Sequence, residues 1–111
     1  MNDGNRTFVI RSASCVRFVP ESDVLWVESA RQYVRLHLEE ECTLYRHRMH
    51  DLEDELSGEF VRIHRSYLVR KDLVRELRRS HNGRYRIRLA GGEDLPVGSS
   101  YLRSTRRALG A

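Results

Sequence analysis

The sequence predicts a mainly β domain, and three observations carry that prediction. Apolar and polar residues alternate with period two over most of the 111 residues, the pattern of strands buried on one face. Turn-forming residues at Pro20, Asn82-Gly83 and Gly91-Gly92 interrupt that alternation. Only two stretches, both short, suit an amphipathic helix. Together these give about nine or ten short strands and two short helices.

Thr7–Arg11 and Ser14–Val19 read as paired strands around a turn at Ser12-Ala13, and Pro20–Asp23 breaks the run. Val24–Glu28 is expected as a buried strand. Tyr33–Leu38 alternates, sending Val34, Leu36 and Leu38 inward and Tyr33, Arg35 and His37 outward. Glu39-Glu40-Glu41 suits a solvated turn, from which Cys42–Arg46 returns antiparallel. Met49, Leu52 and Leu56 form one apolar stripe, so His47–Leu56 is expected as a helix that stops at Ser57-Gly58. Phe60–His64 follows as a strand. Then comes Arg65–Arg70, in which Arg65 sits in a loop-like place between that strand and an apolar triplet. A turn at Lys71-Asp72 leads into Leu73–Arg79. Asn82-Gly83 is a tight hairpin signal. Arg84–Leu89 puts Tyr85, Ile87 and Leu89 on one face and Arg84, Arg86 and Arg88 on the other, the arginines reading as a solvated face. Gly91-Gly92 turns the chain into Glu93–Val97. Ser99 is placed to cap a last helix running to about Leu109, with Leu102 and Leu109 on its apolar side.

A chain of this length makes one domain. Residues 1–6 are expected as a disordered or linking segment, 7–109 as the domain and 110–111 as a tail. The longest uninterrupted candidate, Val24–Val27, is far short of the roughly 20 apolar residues that span a bilayer. No secretory signal is evident after Met1, so a cytoplasmic location is expected. Cys15 and Cys42 form neither a CxxC pair nor a metal spacing and are expected as free, buried thiols. His47 and His50 lie three apart beside Asp51, which does not make a zinc set.

Charge is unevenly placed. Residues 1–58 hold 7 basic and 11 acidic residues, net −4, whereas residues 59–111 hold 13 and 5, net +8. A basic half attracts phosphate backbones. Nineteen of the twenty basic residues are Arg, able to make forked bonds to phosphate or a guanine edge. No GxSxG elbow, Gly-rich phosphate loop or Cys–His pair appears, and Asp51, Glu53, Asp54 and Glu55 read as a solvated helix face. The expectation is no enzyme, no cofactor, no metal and no small-molecule substrate. Helix-turn-helix and winged domains need three packed helices. With two helices some forty residues apart, a DNA reader must present loops and strands to the groove.

Four segments in order resemble the LytTR family. They are Trp26–Leu36, Leu52–Leu56, Phe60–Val69 with its F-x-R-x-H-R-S-x-x-V pattern, and Leu95-Pro96-Val97 followed by Tyr101-Leu102. The resemblance spans roughly residues 8 to 109. It implies an elongated arrangement of small antiparallel sheets with one or two short helices. It also implies a bacterial output domain of two-component response regulators, joined to a receiver or a membrane sensor, that acts in transcription. Binding to double-stranded promoter DNA would use loops in successive major grooves, with two copies on tandem repeats.

Position by position, the resemblance implies three contact loops. The first is Ser29–Val34, with Arg31, Gln32 and Tyr33. The second is His64–Lys71, with Arg65 as first choice for a base, Ser66, Arg70 and Lys71 near phosphates, and His64 supporting the loop. Arg70 stands where the family often has Asn. The third is Gly98–Arg103, where Ser100 replaces a base-reading arginine and Arg103, with Ser99 nearby, is expected to substitute in part. The rival reading is a protein-interaction module whose basic half docks an acidic partner such as a receiver domain.

Overall fold

Period-two alternation becomes antiparallel strand pairing in residues 7–96 of the computed structural model, which describes residues 6–111. Strands β1 (Thr7–Arg11) and β2 (Val16–Pro20) form a hairpin sheet of their own. A five-stranded sheet follows in the order β5-β4-β3-β7-β6, built from β3 (Trp26–Ala30), β4 (Tyr33–His37), β5 (Cys42–Arg46), β6 (Phe60–His64) and β7 (Tyr67–Arg70). Helix α1 (Met49–Glu55) links β5 to β6. Strands β8 (Val74–Arg79), β9 (Tyr85–Leu89) and β10 (Asp94–Pro96) form a three-stranded sheet, and α2 (Leu102–Leu109) ends the chain. The molecule measures 48 × 30 × 24 Å, elongated as the resemblance implied. No helix among the described residues is long and apolar enough to cross a membrane.

Two apolar cores lie on opposite faces of the β6–β7 hairpin. Phe60 and Leu68 join Phe8, Val27, Val34, Leu36 and the Met49–Leu52 stripe of α1. Their neighbours Val61 and Val69 join Ile63, Ile87, Leu89, Leu95 and Val97, closed over by Leu102 and Leu109. One alternating hairpin therefore serves as the wall of both. A one-residue register slip would turn each residue into the wrong core. Removing a fully buried Leu68 side chain should cost about 2–5 kcal/mol.

Differences from the sequence expectation have local causes. The strand expected at Val24–Glu28 runs Trp26–Ala30 because a 3-10 turn at Glu21–Asp23 takes up the break after Pro20. Arg65 is in a turn, as its loop-like place suggested: pairing shifts register between Arg62 and His64, and Arg65-Ser66 lead into β7. Lys71–Leu73 is a 3-10 turn, so β8 starts at Val74. Ser99 makes no capping bond. It lies in a 3-10 turn, Ser99–Tyr101, that feeds α2.

Cys15 and Cys42 are free but exposed, not buried. Cys15 closes the β1–β2 turn, and Cys42 opens the outermost strand of the five-stranded sheet. Of the expected leading segment, residues 1–5 lie outside the described residues. Arg6 already belongs to the fold, its guanidinium 2.9 Å from Glu55. Gly110 and Ala111 close α2: Gly110 takes a φ of 75°, and the Ala111 N–H donates to the Arg106 carbonyl at 2.8 Å.

Candidate nucleic-acid interface

Three of the turns come together because main-chain hydrogen bonds tie them. The first is the two-residue turn Arg31-Gln32 between β3 and β4, fixed by the pairing of Ala30 with Tyr33. The second is Arg65-Ser66 between β6 and β7. The Ser29 N–H donates to the Ser66 carbonyl at 2.9 Å, joining first to second. The third leads from Val97 through Gly98 into α2. The Gly98 N–H donates to the Ile63 carbonyl at 2.8 Å, tying the third to β6, the strand that leads into the second. A Cβ on Gly98 would lie 3.2 Å from the Tyr101 ring, a tight contact that this side chain would have to relieve, and 3.6 Å from His64 Cα, an ordinary one.

Each turn carries an exposed cation. Arg31 is exposed, with a φ of 62°, the only positive φ outside glycine among the described residues. Gln32 and Tyr33 beside it are exposed, and the Arg46 guanidinium sits 5.7 Å over the Tyr33 ring. Arg65 is exposed, Ser66 half-buried. Ser99, Ser100 and Arg103 are exposed on the third turn.

His64 supports the second turn from within. Its Nδ1 accepts the Ser66 N–H at 3.0 Å, which leaves the neutral ring's proton on Nε2. Burial first, then the charges of Arg65 and Arg62, hold its imidazole below the ordinary histidine value. The ring therefore stays neutral, and Nδ1 stays an acceptor, at neutral pH.

Arg70 and Lys71 are not brought to this cluster. They sit at the opposite end of β7 from Ser66. Arg70 donates to the carbonyls of Val24 (3.0 Å) and Glu21 (2.5 Å) and lies 4.6 Å over the Phe60 ring. Its guanidinium holds a turn of the chain. The Lys71 N–H donates to the Glu59 carbonyl.

Ion pairing sorts the remaining arginines. Arg78 and Arg86 share Asp94, at 2.7 and 3.1 Å, and Arg88 pairs with Glu76. The hydrogen bond from Arg78 is the main influence holding the Asp94 carboxyl below its ordinary range; burial opposes it, and the hydrogen bond and charge of Arg86 add to the lowering. Arg35 pairs with Glu28 and Arg17 with Glu41. Arg31, Arg65 and Arg103 have no carboxylate partner among the described residues. Two contributors went unnoticed in the sequence. Arg46 follows from strand register, which places it opposite Tyr33. Arg62, beneath the second turn, lies at the third position of the F-x-R-x-H-R-S pattern.

A family model described as the LytTr DNA-binding domain matches residues 14–110. The chain is 29% identical over 101 residues to the positive alginate biosynthesis regulatory protein of Pseudomonas aeruginosa, covering 89% of this chain and 41% of that protein. It thus spans less than half of that relative's length. Among solved structures it resembles the LytTr DNA-binding domain of a Bacillus cereus protein described as a methyl-accepting/DNA response regulator. The TM-score is 0.82 at 23% identity, over 95% of this chain and 97% of that one. At that identity the likeness speaks to the fold.

Proposed function

Because the chain belongs to the LytTr DNA-binding domain family, we propose that it binds double-stranded DNA sequence-selectively as part of a bacterial transcriptional regulator, through the Arg31, Arg65 and Arg103 turns set into major grooves. One observation supports this most. Arg31, Arg65 and Arg103 are exposed at three coupled turns and lack carboxylate partners among the described residues, as do Arg79 and Arg84 on the β8–β9 hairpin, whereas Arg78, Arg86 and Arg88 of that sheet have them. Unpaired guanidiniums are free to displace counterions from phosphate and to fork onto a guanine edge. Phosphate contacts would set the register and a few base contacts would specify it. Arg65 is the leading base reader, with Gln32, Tyr33, Ser66, Ser99 and Ser100 beside the grooves. Two copies on tandem repeats, a receiver or membrane sensor attached in the full protein, and a cytoplasmic location complete the reading. The regulatory role draws on the name of the Pseudomonas relative.

The test is selection of duplexes from a random pool, followed by titration of the selected and a scrambled duplex over a salt series. With about five phosphates neutralised, the log–log salt slope should be near −4 to −5. Arg65→Ala should cost about 1–3 kcal/mol and relax one base position. A protein that selects no sequence, or binds a polyglutamate chain while ignoring duplexes in dilute buffer, refutes the proposal and favours the acidic-partner reading.

A further inference from the structure

The Arg62 side chain is 10% exposed and makes four directed contacts, two to the second turn, one to α1 and one to the third turn. Its Nε donates to the His64 carbonyl at 2.9 Å, and its Nη2 donates to the Arg65 carbonyl at 2.6 Å. Its Nη1 pairs with the Glu53 carboxylate of α1 at 2.6 Å. Its guanidinium lies 5.4 Å over the ring of Tyr101, in the third turn. The carbonyl of Arg62 itself accepts from the hydroxyl of Thr105, buried in α2, at 3.3 Å.

These contacts fix a direction. Two successive carbonyls of the second turn, those of His64 and Arg65, face inward onto one planar donor fork. The peptide units on either side of Arg65 cannot then rotate, and the Arg65 side chain is left exposed on the other side. Free rotation of those peptides would let the same side chain sweep a wide arc, at a loss of the geometry on which reading a base edge depends. Glu53 completes the arrangement, because it fixes the rotation of the guanidinium that holds both carbonyls. Its carboxylate also cancels the Arg62 charge, so that Arg62 does not itself add to the attraction for phosphate.

We infer that Arg62 and Glu53 form a positioning pair that sets the sequence selectivity of the Arg65 turn without touching DNA. This inference rests on the proposed DNA-binding function. The pair links α1 to both the second and the third turn, so α1 and the reading turns behave as one body.

The experiment measures the affinity ratio between the duplex selected by the wild-type protein and a scrambled one, together with the thermal midpoint. Glu53→Gln removes the charge from a partly exposed helix position, which the fold should tolerate. The expected ratio falls about tenfold, while affinity for the scrambled duplex holds or rises because Arg62 is unmasked. Arg62→Lys keeps the charge but cannot span two carbonyls and a carboxylate, and should lower the ratio at least as far. In an Arg65→Ala background, Glu53→Gln should change the ratio no further, because the pair acts through Arg65. An unchanged ratio in Glu53→Gln, a lowered midpoint with no change of ratio, or additive losses in the double variant overturns the inference. A wild-type protein that selects no duplex overturns the proposed function, and this inference with it, in an arm that contains no variant.

Discussion

Replacing Arg31 by glycine should move stability and DNA affinity in opposite directions. Arg31 occupies a φ of 62° in the turn between β3 and β4. The left-handed region costs a residue with a Cβ roughly 1–2 kcal/mol. Glycine escapes that strain but loses about 0.5–1 kcal/mol more conformational entropy on folding. The difference leaves Arg31→Gly more stable by about 0.5–1 kcal/mol, a rise of roughly 2–4 °C in midpoint for a domain of this size. Loss of one phosphate contact should shallow the log–log salt slope by about 0.9 and weaken binding by about tenfold at moderate salt. Arg31→Ala supplies the control, since it removes the same charge while keeping the Cβ and so the strain. Thermal denaturation and fluorescence anisotropy over a salt series measure both effects. If Arg31→Gly lowered the midpoint, the strain assignment would be wrong. If neither variant changed the salt slope, the first turn would not meet the duplex. A residue kept in a conformation that favours glycine, at a turn tip and without an ionic partner, suggests that the side chain serves something outside the fold.

Further expectations concern the other arginines and His64. Asp94→Asn should raise affinity for scrambled duplex and steepen its salt slope, because Arg78 and Arg86 lose the carboxylate that answers both. An unchanged slope would place that face away from DNA. Arg70→Ala should lower stability by about 1–3 kcal/mol in urea denaturation, through the unpaired carbonyls of Val24 and Glu21, and leave duplex affinity within about threefold. A selective loss of binding would return Arg70 to the interface. His64, its proton affinity depressed by burial, Arg65 and Arg62, should make the folded state bind fewer protons than the unfolded chain below about pH 6.5. The stability difference between wild type and His64→Gln should therefore shrink as pH falls below that value and level off beneath the folded-state pKa. A difference that stays flat from pH 8 to 5 would refute the neutral-ring assignment.

The fold was legible wherever alternation was strict. Val34 and Leu36 point inward while Tyr33 and Arg35 point outward, as period two requires, and β9 separates Ile87 and Leu89 from its arginines in the same way. Strand ends were less legible. Whether Arg65 extends a strand or forms a turn depends on a register shift against β7, which is a tertiary property. The cysteines were misjudged because thiols are usually buried, while position in a turn and on an outer strand overrides that tendency. At the candidate site, the family resemblance pointed to all three turns, but the sequence did not separate arginines by what they pair with. Arg65 and Arg70 look alike in sequence five residues apart. One is left exposed by a turn, and the other is drawn over Phe60 by carbonyls some 46 to 49 residues away in sequence.

That sorting shows where the excess charge is held. The net +8 over residues 59–111 already counts Asp94 and Glu76, which pair with Arg78, Arg86 and Arg88, and the Arg62–Glu53 pair alone among these draws on a carboxylate from the other half. The unmatched charge includes Arg31 and Arg65, at two turns joined by the Ser29–Ser66 bond, and Arg103 beyond the Gly98–Ile63 bond. Bonds between main-chain groups do not adjust as side-chain rotamers do, so on the proposed function the three turns would approach a duplex in one fixed relation. A base substitution that misplaces one turn would then strain the others. Selectivity in such a reader would come from the shared frame as much as from any single side chain. Losses from changes at different turns should accordingly be less than additive, since the first misfit already releases the frame on which the others depend.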